Sequence, residues 1–499
     1  MREIMNSRLG CKAHASRSGN RPLLDGLRSE PLPLVYPNGT APGPLSGAES
    51  AASAAAWGRS KGRCAVRIVP RSPARGIIAR LSSRRDVTLT MPNCRFCNHS
   101  LTRVFVDLGM SPLCQTHITA EQLNCAESFY PLRAYVCDAC LLVQLEEFVA
   151  PADIFSEYAY FSSYSDSWVD HARRYCREMR DRFHLDDKSQ VMEIASNDGY
   201  LLQHFVAAGV PVLGIEPAAN VAQAAIARGV RTVSRFFGRA SAADLRREYG
   251  APDLIVGNNV LAHVPDINDF VAGMALLLKP GGVITMEFPH LMQLMELNQF
   301  DTIYHEHFSY LSFTTVVRIF AAHGLAMFDV EQLPTHGGSL RIYATHQERA
   351  AHPVGPRVGA LLALEAGKGY ARIERYTSFD EQARRTKRDL LAFLIEAKRS
   401  GKKVVGYGAP GKGNTLLNYC GIRTDFLEFT VDRNPYKQGK FTPGTHIPIL
   451  APERLIEARP DYVLILPWNL KDEIVGSLPA VRAWGGRFVV PIPGVEVLD

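Results

Sequence analysis

The chain of 499 residues lacks any run of about 18 uncharged apolar residues, which excludes a membrane-spanning helix. It also lacks the apolar stretch near the N-terminus that a secretory signal requires. Without such a signal, a clustered set of cysteines is more typical of a metal site than of disulfides. These absences predict a cytoplasmic protein that does not bind membranes. Its 46% hydrophobic and 21% charged residues are ordinary for a globular protein.

Acidic residues are scarce in the first 90 positions, where thirteen arginines and two lysines face five carboxylates. Because this segment carries the positive charge, the formal net charge of +6 does not indicate that the rest of the chain binds nucleic acid. Residues 1–91 are rich in Ala, Ser, Pro, Gly and Arg and show no sustained periodicity. We expect a disordered tail, a targeting peptide or a non-native extension of the reading frame ahead of Met91.

Six of the ten cysteines lie between positions 94 and 140, and four of these six form two CxxC pairs. The two-residue gap lets both thiolates of a pair point at one ion, and two pairs complete a tetrahedral zinc site. The 39 residues between the pairs exceed the usual spacing, so we expect an inserted loop or small sheet. Four thiolates leave no open coordination position, which predicts a structural zinc ion. The predicted ligands are Cys94, Cys97, Cys137 and Cys140, whereas Cys114 and Cys125 have no spacing partner.

From Ser189 onwards, short apolar runs alternate with segments of helical length. The predicted strands are 191–195, 212–217, 253–260 and 281–288, and the helices between them are 201–209, 220–228 and 267–278. This alternation predicts an α/β fold with a doubly wound, mostly parallel sheet. Ligands of such sheets bind at the carboxyl ends of the strands.

The first of these strands runs into the turn Glu193-Ile-Ala-Ser-Asn-Asp-Gly199, whose small residues let a ligand approach the backbone. The second strand ends at Glu216, a carboxylate suitably placed to accept both hydroxyls of a ribose. The carboxylates of Glu193 and Asp198 would repel a pyrophosphate but would favour a cation. The pattern therefore indicates an adenosine-type ligand with a positive charge.

A dense group of polar side chains occurs at Tyr304-His-Glu-His-Phe-Ser-Tyr310. The two imidazoles are two residues apart, which on a helix separates them by about 200°, unlike the pair in the helical HExxH zinc motif. Metal binding by this pair is therefore disfavoured. A buried structural role and proton transfer both stay open.

A glycine-rich loop, Gly406-Tyr-Gly-Ala-Pro-Gly-Lys-Gly-Asn414, follows a predicted strand at 403–407. It fits a P-loop until Gly413, which replaces the hydroxyl residue that binds magnesium, so an ATPase of that class is excluded. The same letters match the dinucleotide fingerprint, with Asp432 at the end of the next strand. A nicotinamide-dependent oxidoreductase is therefore one interpretation of this loop.

Taken together, these motifs resemble one family. Glu193 to Gly199, Glu216-Pro217 and Leu278-Lys-Pro-Gly-Gly282 look like the motifs of class I S-adenosylmethionine-dependent methyltransferases. The form E-I-x-S-N-D-G resembles the subgroup of nucleotide-sugar (NDP-hexose) C-methyltransferases, which usually has Gly at the position of Ala195. Members of that subgroup have a zinc-binding module before the methyltransferase core and a second α/β domain after it. Further matches at 336–341, 432–439, 443–448 and 467–469 extend the resemblance from Cys94 nearly to the C-terminus.

The resemblance implies roles for individual residues. His307 corresponds to the general base, which removes the hydrogen beside a sugar carbonyl, while Tyr304 and Glu306 support it. The cofactor-binding positions implied are Glu193, Ala195, Asn197, Asp198, Gly199, Glu216 and Asn258. The substrate-binding positions are Tyr160, Asn259, His263, Arg341, Lys412 and Asn414, of which Lys412 would cradle a diphosphate and Arg341 would pair with phosphate or cap a strand.

We therefore expect a C-methyltransferase that uses S-adenosylmethionine and a structural Zn²⁺ and acts on a nucleotide-linked keto-deoxysugar, as a monomer or weak homo-oligomer. The alternatives are an NAD(P)-dependent oxidoreductase, a methyltransferase for an oxygen or nitrogen acceptor, and a non-catalytic scaffold. The predicted parts are the extension 1–91, a zinc module 92–155, a methyltransferase domain 156–345, a helical connector 346–400 and a nucleotide-sugar-binding α/β domain 401–499.

Overall fold

The computed structural model of the protein describes residues 91–150, 161–349 and 351–498. These residues form three β-sheets that pack together as one compact unit. No helix in these three ranges is both long enough and apolar enough to cross a membrane.

The first sheet is antiparallel and has the order β1-β2-β3-β9. Its strands are β1 (Arg103–Ser111), β2 (Tyr130–Val136), β3 (Val143–Leu145) and β9 (Ser309–Tyr310). The first two strands lie between the two CxxC pairs, which confirms the predicted insertion of a small sheet. The last strand belongs to the polar segment 304–310 and pairs with β3, so this segment is attached to the cysteine-rich module.

The second sheet has seven strands in the order β10-β11-β8-β7-β4-β5-β6. They are β4 (Val191–Ile194), β5 (Val212–Ile215), β6 (Thr232–Val233), β7 (Leu254–Asn258), β8 (Val283–Pro289), β10 (Leu325–Leu333) and β11 (Ser339–His346). The strands from β8 to β6 are parallel, which confirms the predicted α/β fold, whereas β10 and β11 form an antiparallel edge. The parallel strands are apolar because helices cover both faces.

The helices around this sheet follow the chain order of a doubly wound fold. They are α1 (Asp166–Phe183), α2 (Leu202–Ala207), α3 (Ala219–Ala227), α4 (Arg239–Tyr249), α5 (Ile267–Leu277), α6 (Leu291–Glu296) and α7 (Phe313–Ala322). The apolar faces of these helices form two buried clusters with the strands, except that α6 packs into the cluster of the first and third sheets. The arrangement brings the tips of β4, β5, β7 and β8 to one edge.

A helical stretch leads into the third sheet and consists of α8 (Pro356–Gly367), α9 (Glu374–Thr377) and α10 (Phe379–Arg399). The strands of the third sheet are β12 (Val404–Tyr407), β13 (Thr430–Val431), β14 (Ile449–Leu450), β15 (Tyr462–Ile465), β16 (Arg487–Val490) and β17 (Glu496–Leu498), in the order β14-β13-β12-β15-β16-β17. Its helices are α11 (Gly411–Cys420), α12 (Glu453–Ala458), α13 (Lys471–Ser477) and α14 (Pro479–Ala483). The glycine-rich loop connects β12 to α11, as the sequence predicts.

Buried side chains of the first and third sheets share one hydrophobic cluster. In this cluster Phe105 of β1 stacks on Phe379 of α10, with 4.7 Å between ring centroids. The cysteine-rich module and the C-terminal sheet therefore meet through a packed apolar contact, and both border the carboxyl edge of the central sheet.

Candidate active site at the carboxyl edge of the central sheet

The turn after β4 has an unusual backbone. Ala195, Asn197 and Gly199 have φ angles of 57°, 50° and 77°, which lie in the left-handed region. A side chain in this region costs about 1–2 kcal/mol, so the turn favours glycine at all three positions. At Gly199 the space is also missing, because a Cβ would lie 2.9 Å from the side chain of Val230. The turn thus brings its backbone to the tip of the sheet, and position 199 requires glycine.

Two predicted carboxylates of this region are buried. Glu216 accepts backbone hydrogen bonds from Asn197 and Ala218, both at 2.9 Å. Glu193 is fully buried, and neither of its carboxylate oxygens has a hydrogen-bond partner among the described residues. Burial, with the nearby carboxylates of Glu216 and Asp198, raises the pKa of Glu193 well above its usual value. An unsatisfied buried carboxylate fits a site for a positively charged ligand, because such a ligand would compensate its burial.

The other polar residues of the turn, Asn197 and Asp198, form hydrogen bonds with residues 162 and 163. Asp198 forms an ion pair with Arg228 at 2.6 Å and accepts from the hydroxyl of Ser163 at 2.5 Å. Asn197 accepts from the backbone N–H of Ser162 at 2.8 Å. In the structure, Asp198 is therefore engaged with the segment at 162–163, and its charge is already paired. The predicted substrate residue Tyr160 lies outside the described residues.

Two asparagines follow at the tip of β7. Asn258 is buried, and its side-chain nitrogen has no partner in the described part of the chain. Asn259 has a φ of 54° and donates its side-chain N–H to Nε2 of His336 at 2.9 Å. The polar segment packs next to these two asparagines, because the N–H of Phe308 donates to the carbonyl oxygen of Ala262, three residues after Asn259.

His307 is the most constrained side chain of the polar segment. Its Nδ1 lies 2.8 Å from the carbonyl oxygen of Thr302, which can only accept, so Nδ1 carries the proton. The ring's lone pair is then on Nε2, for which no partner is found within the described ranges. Burial lowers the pKa of His307 well below its usual value, as do the charges of His263, His336 and Lys412.

Aromatic rings surround this imidazole. The ring of Tyr304 lies 4.0 Å from that of His307, and the ring of His263 lies 4.6 Å away in an edge-to-face arrangement. Burial lowers the pKa of His263 to about 4, while a hydrogen bond with the backbone of Glu306 acts in the opposite direction. The structure therefore brings Tyr304, His263 and His307 together, with both imidazoles favoured in their neutral form.

Two other members of the segment, His305 and Glu306, contact residues of the cysteine-rich module. Nε2 of His305 lies 3.2 Å from the carbonyl oxygen of Pro131 in the first sheet, so this ring is directed away from His307. The carboxylate of Glu306 lies 3.6 Å from the thiol of Cys114. Cys114 is fully buried at the site although its sequence spacing gave no reason to expect it there. Its sulfur would be 2.9 Å from a Cβ at position 411, which explains the need for glycine at that place.

The C-terminal domain contributes Lys412 to the same site. The ammonium group donates to Asn469 at 2.8 Å and lies 4.5 Å from the centre of the Trp468 ring. Trp468 in turn donates to the buried carboxylate of Asp301 at 2.7 Å. Burial lowers the pKa of Lys412, and the nearby Asp301 partly offsets this effect. The side chain of Lys412 is thus held by Asn469 and Trp468, close enough to His307 and His336 to lower the pKa of both imidazoles.

Two predicted substrate residues are occupied by other partners. Asn414 is buried and donates to the backbone carbonyl of Cys114 at 2.6 Å. Arg341 is buried and pairs with Glu287 at 3.2 Å and with Glu331 at 3.3 Å. Both residues thus make contacts within the protein, while Nε of Arg341 has no hydrogen-bond partner among the described residues.

Several residues of the site were not assigned a role from the sequence. Glu287 at the end of β8 accepts from His171 and Thr335, each at 2.9 Å. Trp168 stacks on His171 and makes an edge contact with His336 at 5.0 Å. The sequence signals in this region were the His336-Gly-Gly and Pro467-Trp-Asn motifs. Both match the family, but the spacing of their residues does not indicate a chemical role.

The glycine-rich loop is closed by its own neighbours. The N–H of Ala409 donates to Asp432 at 2.8 Å, and Lys437 donates to the Ala409 carbonyl at 2.9 Å. The carboxylate of Asp432, which a dinucleotide would use for its ribose hydroxyls, is therefore attached to the loop by a hydrogen bond.

The four predicted zinc ligands lie together. Their sulfur atoms are all within 4.8 Å of one another, and the shortest separations are 3.5 Å for Cys94 with Cys140 and for Cys97 with Cys137. Tetrahedral thiolate ligation at about 2.3 Å separates sulfur atoms by roughly 3.8 Å, so the cluster fits a zinc ion. No zinc ion is needed at His305 and His307, whose rings point to different partners.

The cysteine cluster is connected to His307 through one side chain. Arg95, within the first CxxC pair, donates to the backbone carbonyls of Leu145 and of Pro265, the latter at 2.6 Å. Its guanidinium lies 5.4 Å from the centre of the Phe308 ring. Leu145 donates its N–H to Phe308 at 3.0 Å. The module therefore fixes the residue that follows His307.

Comparisons with known proteins agree with these observations. Three family models match in order: a zinc binding domain at residues 94–155, a methyltransferase domain at 168–330 and a C-methyltransferase C-terminal domain at 334–493. C-methyltransferase NovU from Streptomyces niveus is 36% identical over 415 residues, which cover 83% of this chain and 99% of that protein.

Solved structures match about a third of the chain. An S-adenosylmethionine-dependent methyltransferase from Clostridium acetobutylicum is 9% identical, with a TM-score of 0.29 over 36% of this chain and 92% of its own. Magnesium protoporphyrin IX methyltransferase from Synechocystis is 14% identical, with a TM-score of 0.27 over 36% of this chain and 77% of its own.

Proposed function

The chain belongs to the family of S-adenosylmethionine-dependent C-methyltransferases, and from this premise we propose that it methylates a carbon next to the carbonyl of a nucleotide-linked keto-deoxysugar. The observation that carries the proposal is the state of His307. Its Nδ1–H is bonded to Thr302, so Nε2 has a lone pair beside Tyr304 and His263. A base in this position is needed for this reaction, because the carbon beside a carbonyl becomes a nucleophile only after its C–H bond is broken.

His307 removes the hydrogen next to the substrate carbonyl, and its Nε2 takes up the proton. The electron pair of the broken C–H bond moves into the enolate, whose oxygen takes a hydrogen bond from the phenol of Tyr304. The lowered pKa of His307 keeps the ring neutral before the reaction, which is the form that accepts a proton. Lys412 adds positive charge near the imidazole and thereby favours the negative enolate.

Residues at the ends of β4, β5 and β7 fit the cofactor. Glu193 would compensate a cationic ligand, Glu216 would hold ribose hydroxyls, and Asn258 has an unused donor. When bound, S-adenosylmethionine would supply an electrophilic methyl group, which it would give up by breaking its methyl C–S bond and leaving as S-adenosylhomocysteine. The four cysteines would hold a structural zinc ion, which keeps the segment after His307 in place through Arg95. We further propose that the enzyme works in the cytoplasm, where these thiols stay reduced.

The acceptor follows from the domain that faces the base. The side chains of Asn259 and His263 would form hydrogen bonds with sugar hydroxyls, and Lys412 lies at the start of α11. Helix α11 begins at the glycine-rich loop, so its N-terminal N–H groups favour a diphosphate. A diphosphate-linked sugar would therefore extend from the C-terminal domain toward His307.

The test is methyl transfer from labelled S-adenosylmethionine to a panel of nucleotide-linked keto-sugars, with the product carbon located by NMR. We expect a new carbon–carbon bond with the wild type and a loss of about 10²- to 10⁴-fold in His307→Gln, which keeps the size but not the basicity. The matched control is His305→Gln, two residues away and turned toward Pro131, which should keep its rate. Methyl transfer to oxygen or nitrogen, or an undiminished rate in His307→Gln, would refute the proposal.

A further inference from the structure

A short turn fixes the tautomer of His307. It consists of Phe300–Thr302, and the carbonyl oxygen of Thr302 accepts the Nδ1–H of His307 at 2.8 Å. A neutral imidazole carries its proton on either nitrogen, and the hydrogen bond that one nitrogen makes decides which. If this carbonyl moved away, Nε2 would be free to carry the proton and would then have no lone pair for a substrate hydrogen. The position of the turn therefore controls whether His307 can act as a base.

Two hydrogen bonds from the C-terminal domain hold this turn. The indole N–H of Trp468 donates to the carboxylate of Asp301 at 2.7 Å, and the hydroxyl of Thr415 donates to the carbonyl oxygen of Ile303 at 3.1 Å. The two acceptors are the residues on either side of Thr302, and both are fully buried. Hydrogen bonds to an ionised group are about twice as strong as those between neutral groups, so the bond to Asp301 is the firmer of the two.

The apolar side chains of the turn pack in the same direction. Phe300 and Ile303 are fully buried in the hydrophobic cluster that the first and third sheets share. The ring of Phe300 makes an edge contact with that of Tyr419 in α11, with 5.4 Å between centroids. The central domain also contacts the turn, since the side chain of Gln299 donates to the carbonyl oxygen of Gly337 at 2.7 Å. The turn thus lies between the two domains, with its apolar side chains in the core of the C-terminal one.

We propose that the C-terminal domain sets the tautomer of His307, with Trp468 and Thr415 as positioning residues, an inference that rests on the proposed role of His307 as the base. Trp468 and Thr415 fix the turn on both sides of Thr302, and the carbonyl of Thr302 keeps the proton of the imidazole on Nδ1. The C-terminal domain therefore acts on proton removal itself, in addition to the contacts proposed for the substrate.

Two substitutions each remove one donor and nearly keep the shape of the side chain. Trp468→Phe deletes the indole N–H but leaves an aromatic ring, and Thr415→Val deletes the hydroxyl. The matched controls are Trp484→Phe, whose indole donates to a backbone carbonyl just before β15, and Thr345→Val, whose hydroxyl donates to one just before β8. Both control bonds lie at the strand ends remote from the site, so the controls measure the effect of an unsatisfied acceptor alone.

The first measurement is ¹⁵N NMR of the full chain labelled in histidine, in which the signals of His307 are identified by their absence from His307→Gln. In the wild type and in both controls we expect the proton on Nδ1. In Trp468→Phe and in Thr415→Val we expect a mixture of the two neutral tautomers, because the carbonyl that selects Nδ1 is no longer held in place. This measurement needs no substrate.

The second measurement is deuterium exchange into the accepted keto-sugar with S-adenosylhomocysteine bound, together with the Kd of the sugar by calorimetry. In both test variants we expect exchange to fall about 10- to 100-fold while the Kd stays within about threefold of the wild type, because misplacing a reacting group slows the reaction more than it weakens binding. The controls should exchange at the wild-type rate, although their Tm falls by a similar amount.

The same tautomer of His307 in the wild type and in both test variants would overturn the proposal, as would an equal loss of exchange in a test variant and its control. A loss of exchange in Trp468→Phe alone, with the tautomer unchanged, would also overturn it, because the effect would then belong to Lys412, which lies 4.5 Å from the centre of the Trp468 ring. The proposed function fails separately. If the tautomer shifts as expected but the wild type exchanges hydrogen with no keto-sugar, the C-terminal domain positions His307 and the proposed reaction is wrong.

Discussion

Replacing Ala195 with glycine tests the cofactor turn most quantitatively. Ala195 has a φ of 57°, a conformation that costs a residue with a Cβ about 1–2 kcal/mol. Glycine removes this cost but adds about 0.4–1 kcal/mol of conformational entropy to the unfolded chain. The difference predicts that Ala195→Gly stabilises the protein by about 0.5–1 kcal/mol. For a domain of ordinary size this corresponds to a rise in Tm of about 2 °C.

The assay is thermal unfolding at pH 7.5, with and without S-adenosylhomocysteine. The matched control is Ala224→Gly in the middle of α3, where the backbone is helical and glycine should instead destabilise by about 0.5–1 kcal/mol. Binding of S-adenosylhomocysteine to Ala195→Gly should be equal or tighter, because a methyl group is removed from a turn that a ligand approaches. A lower Tm for Ala195→Gly, or the same change in both variants, would show that the turn is not strained as its φ angle indicates.

Three further predictions follow from the site. Removing zinc with a chelator, or replacing Cys137 with serine, should abolish methyl transfer while cofactor binding falls much less, because Arg95 connects the cluster to Phe308 and not to the β4 turn. The control Cys125→Ser lies outside the cluster and should keep one zinc per chain by mass spectrometry. Equal losses of methyl transfer and of cofactor binding would contradict this prediction. Burial lowers the pKa of His263 and of His336 to about 4, so the unfolded chain binds more protons than the folded one at low pH. The Tm should therefore fall as the pH drops from 6.5 toward 4, and it should fall less in His336→Gln. The same dependence of Tm on pH in the variant and the wild type would refute this cause. Lys412→Gln should lower kcat about 10- to 100-fold with little change in Tm if the ammonium acts on developing charge, whereas an unchanged kcat would assign Lys412 to packing on Trp468.

Much of the fold could be predicted from local pattern. The strands at 191–194 and 254–258 are short apolar runs that are buried on both faces, and the two CxxC pairs needed only their spacing. The antiparallel direction of the edge strands β10 and β11 was not predicted, because the residue pattern of a strand does not indicate its direction relative to its neighbours.

The site itself depended on contacts between distant parts of the chain. No local signal connects His307 to the carbonyl of Thr302, or Ser309–Tyr310 to the cysteine-rich module as strand β9. Cys114 lacks a spacing partner, and only the folded chain brings it to Glu306. Arg341 was expected to pair with phosphate or to cap a strand, and its place in the sequence does not show that Glu287 and Glu331 lie beside it.

Hydrogen exchange into the substrate tests the central claim most directly, because it separates proton removal from methyl transfer. The wild type, saturated with S-adenosylhomocysteine in D₂O, should incorporate deuterium at the carbon next to the carbonyl of the accepted keto-sugar. His307→Gln should lose this exchange by about 10²- to 10⁴-fold, while His305→Gln should retain it. Deuterium entering at the wild-type rate in His307→Gln, with substrate binding intact, would show that this imidazole is not the base.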